Sequence, residues 1–80
     1  MYTKQDEQYT YELFDGVCYN CGAKEDLCID HNYPLSRGYA LTRKNAVLLC
    51  RSCNSSKLDK LPKYFYTNEK LQILKEKLGV

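Results

Sequence analysis

The chain has 80 residues, 44% hydrophobic and 28% charged, with five cysteines, one histidine, no tryptophan and a formal charge of +2. A domain this small gains only about 3–5 kcal/mol from an apolar core, so an additional staple is expected, and cysteine is the residue in surplus. The opening MYTKQDEQYTYELFDG is too polar for a secretory signal, and nothing approaches the roughly 18 apolar residues of a membrane span, which points to a soluble, cytoplasmic chain whose cysteines bind metal rather than pair as disulfides.

Residues 3–15 read as a helix. Thr3 with Asp6 three positions on is a capping pattern, Tyr9 and Leu13 share a face, and Gly16 closes the segment. VCYNCGA is a tight turn with two cysteines, LCID a short strand, and residues 32–44 an irregular loop marked by Pro34 and Gly38. AVLL is a second strand. CRSCNSSKLDKL has helical character up to Leu61, where Pro62 disfavours continuation. Thr67 or Asn68 can cap a last helix, with Leu71, Leu74 and Leu78 on one face and Gly79 at its end. That face can pack on the chain's own core or join two subunits.

Charge divides the chain unevenly. Residues 1–30 hold two lysines against seven acids, a balance of −5; residues 31–80 hold ten Lys and Arg against three acids, a balance of +7. Arg37, Arg43, Lys44, Arg51, Lys57, Lys60 and Lys63 all follow the histidine. Such a run is either a solvated surface or the electrostatic footprint of a nucleic-acid backbone. The eight tyrosines serve packing, with base stacking a further use for Tyr33, Tyr39 or Tyr64.

Cys18-x-x-Cys21 and Cys50-x-x-Cys53 are two knuckles separated by 28 residues. Four thiolates turned toward one point suit tetrahedral Zn²⁺ at about 2.3 Å, and such a site supplies on the order of 10 kcal/mol of folding free energy. A closed four-sulfur site has no open position for a substrate, so this zinc is structural. A rubredoxin-like iron site would also accept CYNCG, but CRSCN lacks the Pro and Gly common there and the chain is basic for an electron carrier. Cys28 is left over as a small buried hydrophobe.

Between the knuckles lie Asp30, His31 and Asn45, and Asn54 follows the last cysteine. A carboxylate and an amide oxygen are hard ligands suited to Mg²⁺ or Mn²⁺, so Asp30 and Asn54 can hold such an ion. A neutral imidazole can take a proton from water near neutral pH, which suits His31 as a base. Taken singly, each has an ordinary structural use: a hydrogen-bonded strand-end histidine, a turn-forming aspartate, an asparagine at a turn or a helix start. Their joint placement between zinc knuckles is what singles them out.

The stretch CYNCG…LCIDHNYPLSRGYALTRKNAVLLCRSCNSSK resembles the HNH nuclease family in its four-cysteine zinc form, over roughly residues 9–62. The Asp-His pair, the Asn 14 residues after the histidine and the Cys-Asn 23 after it match the motif in type and spacing. The resemblance implies a small α+β chain with a ββα-metal fold, stapled by a four-cysteine zinc and flanked by N- and C-terminal helices. It also implies metal-dependent cleavage of phosphodiester bonds in double-stranded DNA by a bacterial or phage-encoded monomer or homodimer. On this resemblance His31 is the general base, Asp30 and Asn54 hold the catalytic ion, and Asn45 secures the loop that aims the histidine. Arg37, Arg43, Lys44, Arg51, Lys57 and Lys60 are the expected DNA contacts. Residues 1–80 then form one nuclease domain, with the helix at 3–15, the zinc-stapled core at 17–62 and the last helix at 67–79. Two departures stand out: Asn at position 54 shifts preference toward harder ions, and SRGYALT replaces the paired glycines of many members, so that Tyr39 alters how substrate enters. The rival reading from another class is a zinc-stabilised DNA-binding module without catalysis.

Overall fold

In the computed structural model, which describes residues 1–80, the first element is the helix α1, Lys4–Leu13. Its start is a capping box: Asp6 N–H donates to Thr3 Oγ1 at 3.2 Å while Thr3 N–H donates to the Asp6 carboxylate at 2.8 Å. The inward stripe differs from the expected Tyr9–Leu13 face. Thr10 and Phe14, four residues apart, are the buried pair, and Tyr9 stands outside under the Arg43 guanidinium, 4.4 Å from its ring. Thr10 tolerates full burial because its hydroxyl bonds to Tyr2 Oη at 2.6 Å and donates to Asp6 O at 3.1 Å. Gly16, at φ +67°, turns the chain out of the helix, with its N–H on Tyr11 O.

Strands β1, Leu27–His31, and β2, Ala46–Cys50, pair antiparallel, with Leu27 opposite Cys50 and His31 opposite Ala46. Every residue of β2 is buried. The run AVLL has no polar alternation because α1 and helix α2, Arg51–Lys57, both pack against this strand. The register therefore puts the zinc-knuckle cysteine at one end of the hairpin and the histidine at the other, about 14 Å apart along the strand.

α2 ends four residues before the expected end at Leu61. Leu58 adopts φ +50° and closes the last turn through its N–H on Asn54 O at 2.9 Å. A 3₁₀ turn, Pro62–Tyr64, leads to helix α3, Asn68–Leu78, capped by Thr67 Oγ1 and ended by Gly79 at φ +78°. Leu74 and Leu78 are buried with Phe14, Leu48, Leu49 and Tyr66, and Leu71 packs at the edge of this cluster, so the leucine face is used within the chain. Each such leucine contributes about 1.5–3 kcal/mol by leaving water. Tyr19 sets its ring edge-on to both Phe14 and Tyr66, at 5.6 Å each, and donates its hydroxyl to Lys70 O, which docks α3 on the first knuckle. No helix is long and apolar enough to cross a membrane.

Candidate metal centre and active-site groove

At one end of the hairpin the sulfurs of Cys18, Cys21, Cys50 and Cys53 all lie within 4.8 Å of one another, and Cys21 Sγ is 3.6 Å from Cys50 Sγ. Tetrahedral zinc with bonds of about 2.3 Å requires sulfurs about 3.8 Å apart, so the cluster fits that ion. The knuckles also supply what thiolates need. Cys21 N–H points at Cys18 Sγ and Cys53 N–H at Cys50 Sγ, each at 3.4 Å, and the Asn20 amide donates to Cys53 Sγ at 3.5 Å. Burial works against ionisation of Cys18, but the backbone N–H groups of Cys21, Cys50 and Asn20 outweigh it and hold its thiol down at about 6, whereas burial pushes the Cys53 thiol up to about 12, so the four sulfurs do not ionise alike without a cation among them. Asn20 is itself gripped by Lys70 through its backbone and side-chain oxygens. Cys28 stands outside the cluster with its Sγ on Leu49 O at 3.4 Å, and burial pushes its thiol up.

At the other end β1 runs into the loop with Asp30 buried and His31 half-buried. Lys57, with no exposed surface at all, reaches this point from α2. Its ammonium forms an ion pair with Asp30 Oδ2 at 2.9 Å and donates hydrogen bonds to His31 O at 3.1 Å and Asn32 O at 3.0 Å. The expectation that Lys57 contacts DNA phosphate is therefore corrected. The resemblance places Lys57 among the DNA contacts, but the helix turns this side chain into the protein, where its charge meets the strand end that carries His31. Burial pushes the Asp30 carboxyl up, against the opposing pull of Lys57 and His31.

The Asn45 side chain, also buried, makes a second clamp. Its oxygen accepts from Tyr33 N–H at 2.8 Å, and its NH₂ donates to Tyr33 O and Ala40 O, both at 3.0 Å. One amide thus ties both ends of the loop segment from Tyr33 to Ala40. With the Asn32 N–H on Asn45 O at 2.8 Å, the backbone beyond His31 is fixed on both sides.

Asp30 and His31 line a cavity of about 230 Å³ together with Pro34, Leu35, Ser36, Leu58 and Asp59. The His31 ring makes no hydrogen bond within the chain, and Asp30 Oδ1 accepts none, so an imidazole and a carboxylate oxygen remain for a ligand. Asn54 is half-buried, its amide has no partner in the chain, and it does not line this cavity; it lies one helical turn before Lys57. Asp59 was missed in the sequence. Its signal was an acid in a segment otherwise almost wholly basic, two residues beyond Lys57. Arg37, Lys44, Arg51 and Lys60 are exposed, whereas Arg43 is committed to α1: its Nε donates to Asp6 Oδ1 at 2.6 Å. Asp6 is held down at about 2 by the Thr3 N–H and by that guanidinium.

A family model described as HNH endonuclease matches residues 18–60, more than half of the chain. The protein belongs to the HNH endonuclease family. The match runs from the first knuckle through both strands and α2, and so contains the four-cysteine centre, both clamps and the groove; α1 and α3 flank it. The expected small α+β architecture, with two antiparallel strands, helices and a cysteine cluster fit for zinc, is what the chain forms. Membership in an HNH family carries a nuclease-type function and a nucleic-acid substrate. No curated protein matches the chain.

Proposed function

We propose that the chain is a metal-dependent endonuclease that hydrolyses DNA phosphodiester bonds, with His31 as general base and Asp30 and Asn54 as ligands of one Mg²⁺ or Mn²⁺ ion. The observation that carries this reading is the pairing of His31 and Asp30 on the wall of an open groove, at the end of a strand locked from behind by Lys57 and Asn45. Residues 1–80 act as one nuclease domain.

The donor set suits a hard divalent ion. Asp30 offers a free carboxylate oxygen, and Asn54 offers an amide oxygen without a partner, on the same helix as the lysine that grips Asp30. Such an ion supplies charge stabilisation to the phosphate oxygens and the leaving oxygen. His31 takes the proton of the attacking water through a free ring nitrogen, and its uncommitted imidazole has no internal bond to give up first. Lys57 holds the His31 and Asn32 carbonyls, so the imidazole is aimed by the backbone rather than by a side-chain partner. Asn45 fixes the following loop at Tyr33 and Ala40 and so secures the backbone that aims the histidine. The exposed Arg37, Lys44, Arg51 and Lys60 attract the phosphate backbone and make binding salt-dependent. The substrate is double-stranded DNA: a monomer with one groove nicks one strand, and two copies are needed to cut both.

The test is supercoiled plasmid incubated with the zinc-loaded protein, with and without added Mg²⁺ or Mn²⁺. Wild type nicks only with the added ion, and His31→Ala lowers the rate by about 10²–10⁴ with zinc content unchanged. Binding without nicking at any added ion would leave a DNA-binding module in its place.

A further inference from the structure

Around the loop from His31, two further cavities of about 550 and 270 Å³ adjoin along Tyr33 and Lys75, which line both, and make the two parts of a groove. Tyr39 and Lys44 line its larger part, Lys63 its smaller part, and no Asp or Glu side chain lines either. In this the groove is the electrostatic opposite of the His31 cavity, which has two carboxylates in its wall. The Tyr33 and Tyr39 rings are already in mutual contact, with centroids 5.1 Å apart and planes tilted by 39°. Tyr39 is 49% exposed and backed by Tyr33, which leaves ring surface on which a planar ligand can stack. The platform is rigid before any ligand arrives: the Asn45 amide holds the backbone of Tyr33 and the carbonyl of Ala40, next to Tyr39.

An aromatic face rimmed by lysines, with no Asp or Glu side chain in its wall, suits an unpaired nucleotide, whose base stacks on a ring while its phosphates meet the ammonium groups. A base inside a duplex does not offer that face. We propose that this groove captures an unpaired nucleotide of a single-stranded nucleic acid beside the cleavage site. The inference rests on the nuclease reading for the meaning of that position, since Tyr33 is two residues, and so at most about 7 Å of chain, from His31. It goes beyond that reading in naming the substrate: duplex with an unpaired segment, such as a gap or flap, is preferred over continuous duplex.

The experiment uses a 12-nucleotide single strand carrying 2-aminopurine, and a continuous duplex of the same length. His31→Ala, loaded with zinc, serves as the binding-competent protein. It is expected to quench the single-strand fluorescence and to bind that strand more tightly than the duplex in anisotropy. Adding Tyr39→Ala weakens single-strand binding about fivefold or more and removes the quench, whereas Tyr39→Phe keeps both because the ring face remains. Lys75→Gln flattens the dependence of log affinity on log salt by about 0.7. Matching zinc content and circular dichroism show that each variant is folded. Absence of a quench, a Tyr39→Ala variant that binds like its parent, or duplex bound as tightly as single strand would each overturn the proposal. Plasmid nicking by a wild type that shows no quench would sink the groove and leave the nuclease; a quench without nicking at any added ion would sink the nuclease and leave the groove.

Discussion

The two ends of the β-hairpin carry opposite designs. Where Leu27 faces Cys50, four sulfurs crowd within 4.8 Å, backbone N–H groups and Asn20 point at them, and α3 is docked over the knuckle through Tyr19 and Lys70. Every ligand position there is taken by the protein itself. Where His31 faces Ala46, the clamping groups Lys57 and Asn45 are fully committed, but the groups they position, the His31 ring and Asp30 Oδ1, are left without partners on an open wall. A small chain cannot fund both stability and an unsatisfied polar site from one apolar core. Concentrating the staple at one end of a rigid five-residue strand lets the other end stay open.

If that division is correct, damage at the closed end should abolish folding and damage at the open end should spare it. Cys18→Ser or Cys50→Ser, or stripping zinc with a chelator, is expected to remove the cooperative thermal transition followed by circular dichroism, because a loss on the order of 10 kcal/mol exceeds what a domain of this size holds in reserve. Cys28→Ala, outside the cluster, should keep one zinc per chain by atomic absorption. A cooperative transition in the metal-free Cys50→Ser protein would break the comparison at its root.

Lys57 is the next largest. It sits on the open half yet is buried, so Lys57→Met leaves Asp30 ionised and uncompensated at a cost of about 3–5 kcal/mol in chemical denaturation, and Asp30→Asn in the same background should recover part of it. Lys57→Arg is not expected to substitute, because a planar guanidinium does not present its donors in the geometry of the compact ammonium that meets Asp30, His31 O and Asn32 O. The variant also carries a pH signature. Burial already raises the Asp30 carboxyl and the ammonium opposes that rise. Removing the ammonium raises it further, and a protonated Asp30 is no ligand, so the acid limb of the nicking rate should move to higher pH than in wild type. An unmoved limb would separate Asp30 from the reaction.

Much of this was legible in the residues, and the reasons differ by element. The cysteine spacing specified the metal cluster because a knuckle is a local turn whose two sulfurs need no long-range information to converge. The Thr3–Asp6 cap and the Thr67 and Gly79 ends of α3 were legible for the same reason. Lys57 was misread because helical spacing gives the side a residue faces only relative to its neighbours, and which side is inside was decided by where β1 ends. α2 ends at Lys57 rather than Leu61, where Leu58, an ordinary residue with no turn signal in the sequence, takes a positive φ. The inward face of α1 was shifted by one residue because Thr10 is polar, and only the Tyr2 and Asp6 oxygens that satisfy it make it a core residue. Asp59 and the tyrosine groove appear only when the loop closes on Asn45.

Asn45→Ala sharpens the comparison at the open end. It removes three hydrogen bonds from a buried amide and leaves the Tyr33 N–H and C=O unpaired, for an expected cost of about 2–3 kcal/mol in denaturation. Zinc content should not change. Nicking should fall by more than the unfolded fraction explains, since the loop beyond His31 is freed while the knuckles are not.

The smallest effect tests whether α1 belongs to either end. Phe14 packs into the core beside Cys18, but Arg43, in the loop that leads into β2 and Asn45, is tied to Asp6 in the first turn of the same helix, so α1 braces both halves of the hairpin. Thr3→Ala removes one side of the capping box at a cost of about 1 kcal/mol, read as a shift of a few degrees in the thermal midpoint. If α1 is a brace, Arg43→Ala in the Thr3→Ala background should cost less than Arg43→Ala alone, because a frayed first turn no longer holds Asp6 in place for the guanidinium. Strict additivity of the two substitutions would mean that α1 supports only the closed end, and that the loop beyond the groove stands on Asn45 and Lys57 without help from the N-terminal helix.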